Sequence, residues 1–312
     1  MKPHNLKNTA HSSSQMQGGA CANESLESFP ASSENSAAKE EGSVVFDHGK
    51  LESVISELES DLASDRWIDG DYAESDLEMM PSLIKQANLK YPEMKLNFVR
   101  APEDFSLSLK ETLDNGVQSS RYIVNTGMSI IHFAVIDHQT IDGKTSLILF
   151  DSTKFDNIGS IAVKLGIQES LQDCPLSDYH FSMVEMDIQR SFSECGIFSL
   201  FFAKKLHTES NKLMRMHQDN ISGVLCKPNT PVPPEIVDQY LPPKFYKHTQ
   251  GVRRLREYIK SNPGSENEKV NKKGETLPKR FEKTLVELAG NAVSVSAHRK
   301  RTREYKSLMM SF

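Results

Sequence analysis

Cys195 stands at the mouth of a strongly apolar run, QRSFSECGIFSLFFAKKLH, residues 189–207. Its thiol has two readings. A free cysteine is commonly a small buried core residue. A cysteine opening a helix is also placed to act as a nucleophile, because the helix macrodipole favours an anion there and lowers a thiol pKa. The run from Gly196 onward is too apolar for an exposed helix, which predicts a largely buried one with Cys195 at or just before its N-terminus. A catalytic thiol needs a base, and the base needs an acid that fixes its tautomer and orientation. His132 and Asp151 could supply them. Gln189, six residues before the thiol, could donate its amide hydrogen to a developing oxyanion, with Ser191, Ser193 and Glu194 shaping the approach. Each also has a plainer role: His132 as a core histidine, Asp151 as a turn former, Gln189 as a solvent-facing amide. The residues alone leave both readings open.

A hairpin would bring His132 to Asp151. MSIIHFAVIDHQ and KTSLILFDST are β-rich runs, and the Asp142-Gly143 dipeptide between them is typical of a tight turn. With a two-residue loop Ile141 faces Lys144, and paired positions sum to 285. His132 then lies opposite Thr153, and Asp151, two residues back, points to the same face as a diagonal neighbour. A slip of one residue would separate them. Asp137 and His138 lie nearer the turn and are expected to be solvated.

Elsewhere, LESVISELESDLAS places Leu51, Val54, Ile55, Leu58 and Leu62 on one helical face. DLEMMPSLIKQANLKYP reads as a second helix, kinked at Pro81 or starting there. KLNFVR reads as a short strand. Residues 1–45, rich in Ser, Asn, Ala, Gly and Glu, are expected to form a disordered leader, either inert or an export address of non-Sec type.

The 312 residues allow one large domain or two modest ones, and the net charge of −5 gives no sign of nucleic-acid binding. Cys21, Cys174, Cys195 and Cys226 form no CxxC pair, so neither a zinc site nor a disulfide framework is expected. No apolar stretch approaches the roughly 18 residues of a membrane span. The C-terminal part nevertheless concentrates cations in KFYKHTQGVRR, NKK, PKR and HRKRTR. Converging Lys and Arg side chains suit a polyphosphate. A solvated basic surface or nucleic-acid contact are the plainer readings.

Both IIHFAVIDHQTIDGKTSLILFD and MVEMDIQRSFSECGIFSLFFAKKL closely resemble the YopJ family of type III secreted acetyltransferases, in the branch from bacteria that infect animals. So do DLEMMPSLIKQANLKYPEMKLNFV, YLPPKFYKHTQGVRRLREYI, VNKKGETL and SVSAHRKRTREYKSL, in order, from about residue 50 onward. The resemblance implies an α/β papain-like core similar to ubiquitin-like-protein cysteine proteases, over residues 86–225. It implies a helical regulatory domain from the flanking segments 46–85 and 226–312, and a type III export signal within 1–45. The family triad falls on His132, Asp151 and Cys195, with one departure: close relatives carry Glu where Asp151 stands.

The resemblance further implies transfer of acetyl from acetyl-CoA through Cys195 to Ser, Thr or Lys of host kinases, of the MAP-kinase-kinase and IκB-kinase type, in the host cytoplasm. Arg190 and Ser191 would touch CoA. Inositol hexakisphosphate would activate from a site assigned to Lys204, Lys205, Lys247, His248, Thr249, Lys272, Lys273, His298, Arg299, Lys300 and Arg301. Lys247 matches the family's candidate self-acetylation lysine. A protease or deubiquitinase using the same triad is the alternative; a non-catalytic kinase binder is a more distant one.

Overall fold

The computed structural model describes residues 47–311 apart from 128, 129, 175, 177, 228 and 289, so the expected leader lies outside the described residues. Helix α1 (His48–Ala63) opens at Asp47, whose carboxylate accepts from the Lys50 N–H at 3.0 Å. It buries Leu51, Ile55 and Leu58, the anticipated face. Helix α2 (Ala73–Lys90) contains Pro81 in its interior rather than starting there. Its buried stripe of Met79, Met80, Leu83, Ile84 and Ala87 runs across the proline, so tertiary packing outweighs the hydrogen bond that proline forfeits.

Five strands form one sheet in the order β1 (Leu96–Val99), β2 (Ser119–Asn125), β3 (Phe133–Ile141), β4 (Lys144–Asp151) and β5 (Tyr179–Glu185). The outer pairs are parallel and the two inner pairs antiparallel. The β3–β4 hairpin has the anticipated register: Ile141 pairs with Lys144 and Val135 with Phe150. Asp142 at φ +50° and Gly143 at φ +79° give the two left-handed residues of a hairpin turn.

Helices cover both faces of the sheet. Ala134, Ile136, Leu147 and Leu149 pack with residues of α3 (Phe105–Asp114) and α4 (Ile158–Asp173). Phe133, Val135, Ile148 and Phe150 pack in the larger core with α2, α5 (Cys195–Thr208) and α6 (Ser210–Ile221). This double cover corrects the expectation for Asp137 and His138, which are fully buried. Asp137 pairs with Arg121 at 2.8 Å and accepts from His217 Nε2 at 3.2 Å, while His138 Nδ1 meets Ser120 Oγ at 2.8 Å. With β2 paired on the far side of β3, these positions never reach solvent.

The C-terminal part adds α7 (Pro234–Val237), α8 (Val252–Ser261), α9 (Leu277–Thr284) and α10 (Ser296–Met309). It also contains a two-stranded ribbon, β6 (Leu285–Leu288) with β7 (Asn291–Ser294), beyond the helices expected of this region. Segments from before and after the sheet meet in space. His298 Nε2 on α10 donates to the Leu58 carbonyl at 2.9 Å, and Lys306 pairs with Glu59 at 2.5 Å.

Candidate active site

His132 lies one residue before β3, and Asp151 ends β4. The diagonal closes: His132 Nε2 donates to Asp151 Oδ2 at 2.7 Å. The other carboxylate oxygen of Asp151 accepts from the N–H and the hydroxyl of Thr153, each at 2.9 Å. Helix α4 backs this pair. Its N-cap, Asn157, accepts from Ser160 N–H at 2.8 Å and donates to Thr153 Oγ1 at 2.7 Å. Ser160 Oγ lies 3.2 Å from His132 Nε2. A Cβ at Gly159 would stand 2.7 Å from His132 Cβ, so the bare backbone there makes room for the imidazole.

Cys195 is the first residue of α5, only 3% exposed, as the apolar run required. The first N–H groups of a helix have no intrahelical partner and are free to meet an anion. With Nε2 held by Asp151, Nδ1 is the ring nitrogen left for the Cys195 thiol. Burial by itself would lower the His132 pKa, but the charges of Asp151 and Cys195 and their hydrogen bonds outweigh it and hold the imidazole well above its ordinary value. Asp151 is held low against the same burial by the His132 charge and by the bonds from His132 and Thr153. The arrangement sets a base and its orienting acid at the end of the sheet, with the thiol at the start of α5.

Gln189 is buried, but its amide is turned onto its own loop: Nε2 donates to the Ser191 carbonyl at 2.9 Å, and Oε1 accepts from Ser152 Oγ at 2.7 Å. Ser191 is also buried, its hydroxyl donating to Glu194 Oε2 at 2.5 Å. Arg190 lies at the rim and pairs with Asp187 at 2.9 Å. Sequence reasoning missed Gln250. This fully buried side chain accepts from the N–H groups of Arg190 at 2.5 Å and Ser191 at 3.1 Å, and donates to Ser191 Oγ at 2.9 Å. No local pattern marks it, since its partners lie about 60 residues earlier.

The basic segments converge on a cavity of about 570 Å³. Of the anticipated residues, Lys247, His248, Lys272, Lys273, Arg299 and Lys300 line it. Arg280, Lys283, Arg303 and Lys306 line it as well and were not singled out individually. Burial first, then the charges of Lys205, Lys300, Arg280 and Arg303, push Lys247 down to about 7. The remaining anticipated residues are not among the lining. Lys204 pairs with Glu304 at 2.9 Å, and Lys205 donates to Thr208 Oγ1 at 3.4 Å. Thr249, His298 and Arg301 are buried, with Arg301 turned away from the cavity onto Asp76. On a helix, neighbouring residues point to different sides, so a run of basic letters splits between cavity and core.

A family model described as YopJ Serine/Threonine acetyltransferase matches residues 51–307. The chain belongs to the YopJ acetyltransferase family. It is 47% identical to the serine/threonine-protein acetyltransferase YopJ of Yersinia pestis over 272 residues, 87% of this chain and 94% of that protein. The Yersinia pseudotuberculosis protein of the same name is 46% identical over the same length. Among solved structures, an AvrA deletion variant with IP6 and CoA matches with a TM-score of 0.81 and 47% identity, covering 84% of this chain and 98% of that one. HopZ1a in complex with IP6 shares the fold at a TM-score of 0.69 and 19% identity, covering 84% and 92%. Within the YopJ family this chain is a mixed α/β serine/threonine acetyltransferase whose match spans the sheet, the flanking helices and the basic cavity. No described helix is long and apolar enough to cross a membrane.

Proposed function

We propose that this chain is a type III secreted effector that moves acetyl from acetyl-CoA through Cys195 to Ser, Thr or Lys of host signalling kinases, of the MAP-kinase-kinase and IκB-kinase type, in the host cytoplasm. The observation carrying the chemistry is the 2.7 Å His132–Asp151 contact beside a thiol at the start of α5. His132 takes the thiol proton, and the thiolate adds to the thioester carbonyl. The oxyanion meets the N–H groups opening α5. Collapse breaks the bond to the CoA sulfur, which leaves with the proton from His132. An acceptor hydroxyl or amine then attacks the acetyl-cysteine. His132 removes the acceptor's proton and returns one to the Cys195 sulfur as the acetyl group departs. Acetylation of an activation-loop hydroxyl turns it into an ester, which cannot accept a phosphoryl group.

Gln189 contributes by fixing the nucleophile loop; its donation to the oxyanion requires release of the Ser191 carbonyl. Arg190 at the rim is the candidate for a CoA phosphate, and Ser191 serves through its buried bonds.

The cavity fits inositol hexakisphosphate: burial and then repulsion from nearby cations depress Lys247, and a polyanion relieves that repulsion. Lys247, Lys272, Lys273, Arg299 and Lys300, with Arg280 and Arg303, would hold it. When bound it supplies the neutralising charge that lets these segments pack.

The test is incubation with radiolabelled acetyl-CoA and a MAP kinase kinase, with and without inositol hexakisphosphate, beside Cys195→Ala. Label on the kinase that needs both the thiol and the polyphosphate supports the reading. No label, with capture of Cys195 by a ubiquitin-type suicide probe, would favour the protease reading.

A further inference from the structure

Arg301 lies in a run of basic residues, but it is completely buried and makes no contribution to the basic cavity. Its guanidinium spans two parts of the chain. Nε and Nη2 each donate to Asp76 on α2 at 3.0 Å, and Nη2 also donates to the Ser193 carbonyl at 2.6 Å, two residues before the nucleophile. Asp76 is itself against the catalytic turn: a Cβ on Gly196 would stand 2.5 Å from Asp76 Oδ2. Tyr305, one turn along α10, donates to Asp76 Oδ1 at 2.6 Å. The Ser193 hydroxyl is held separately, donating to the Gly70 carbonyl at 2.7 Å and accepting from the Tyr72 N–H at 2.9 Å.

Helix α10 therefore has two working sides. Arg299, Lys300, Arg303 and Lys306 line the basic cavity, while Tyr305 holds Asp76 on α2 and Arg301 holds both Asp76 and the turn that carries Cys195. We infer that Arg301 and Asp76 are positioning residues for Cys195, and that they connect the cavity's side of α10 to the nucleophile turn. Neither touches substrate. A planar guanidinium makes all three bonds at once, whereas an ammonium on a flexible stem cannot reproduce that fork. Loss of the Ser193 bond frees the turn preceding the thiol, and misplacement by about 1 Å costs up to roughly a hundredfold in rate. The part of this inference that concerns the cavity rests on the polyanion reading above; the part that concerns Cys195 does not.

The experiment compares Arg301→Lys with Tyr305→Phe in the full chain. Both remove buried hydrogen bonding to Asp76, but only the first disturbs the Ser193 carbonyl. Three quantities are read: thermal midpoint, the rate of Cys195 alkylation by iodoacetamide, and kcat and KM for acetyl-CoA. The expected result is that both variants melt earlier, but only Arg301→Lys alkylates about tenfold slower and loses kcat with KM for acetyl-CoA unchanged. Equal alkylation and equal kcat in the two variants, whatever their melting, would overturn the inference. Inositol hexakisphosphate is then titrated calorimetrically. Arg301→Lys is expected to bind it as the parent does while its alkylation rate no longer responds. A variant that still responds as the parent does overturns the link to the cavity. If the parent itself binds no polyphosphate, the cavity reading fails, and the alkylation comparison still decides the role of Arg301.

Discussion

Asp151 reaches His132 at 2.7 Å although it is one methylene shorter than the glutamate expected at its position in this family. The contact is made by register, because the hairpin sets the two residues diagonally on one face. Thr153 donates twice to the oxygen that His132 does not use. Asp151→Asn is expected to remove the charge that holds the imidazole up and to lower kcat by about a hundredfold or more. Asp151→Glu should keep the role and cost less than about tenfold. Steady-state acetylation rates of the two variants separate charge from length. A larger loss in Asp151→Glu than in Asp151→Asn would show that geometry, not charge, governs the pair.

The pH dependence of this pair follows from its two directions. His132 is raised, so its contribution to stability is present below its unfolded pKa and is lost as pH climbs through its folded value. Asp151 is depressed, so its contribution is present above its unfolded pKa and is lost as pH falls through its folded value. Denaturant midpoints of the parent should therefore fall on both the acid and the alkaline sides. Asp151→Asn should flatten the acid limb by its share.

Gly159→Ala tests the space behind the imidazole. The added carbon would sit 2.7 Å from His132 Cβ and 3.0 Å from its Cγ, and neither neighbour is the end of a flexible chain. Alanine is otherwise the better helix former. The expected outcome is a large loss in kcat, roughly tenfold to a hundredfold, with secondary structure by circular dichroism retained.

Polyphosphate binding should take up protons. Lys247, pushed down to about 7, is mostly neutral at pH 8, and a bound polyanion stabilises its charged form. Calorimetry at pH 8 in buffers of different ionisation enthalpy should show net proton uptake, and affinity should rise as pH falls from 8 toward 7. Lys247→Met should remove that part of the uptake. Unchanged uptake in the variant would assign the proton elsewhere.

Asp238 and Arg254 form a buried two-pronged ion pair, with contacts of 2.9 and 2.5 Å. Arg254 Nε also donates to the Met186 carbonyl at 3.0 Å, tying α8 to the segment after β5. Asp238→Ala strands a buried cation and is expected to cost about 3–5 kcal/mol in urea denaturation. A double replacement by apolar residues of similar volume should recover part of the loss.

The placement of His132, Asp151 and Cys195 was legible because each of its signals is local. A two-residue turn and strict alternation set the hairpin register, and an unbroken apolar run after Cys195 marked a buried helix. The same locality misled at Asp137 and His138, where nearness to a turn suggested solvent but neighbouring strands and helices on both faces exclude it. At Pro81 a local helix-breaking signal lost to a packed stripe. Strands β2 and β5 and helices α3 and α4 carried no signal strong enough to be read.

The sequence by itself determined the hairpin and the helix that presents the thiol, since turn chemistry and periodicity act over a few residues, and its motifs carried the resemblance to the family. Only the tertiary structure decided which cations share a cavity and which are buried as struts. Arg301 meets Asp76 across 225 positions and Gln250 meets the nucleophile loop across about 60. Such pairings depend on how helices stack, and a one-dimensional run of basic residues holds no record of which side of α10 each one takes.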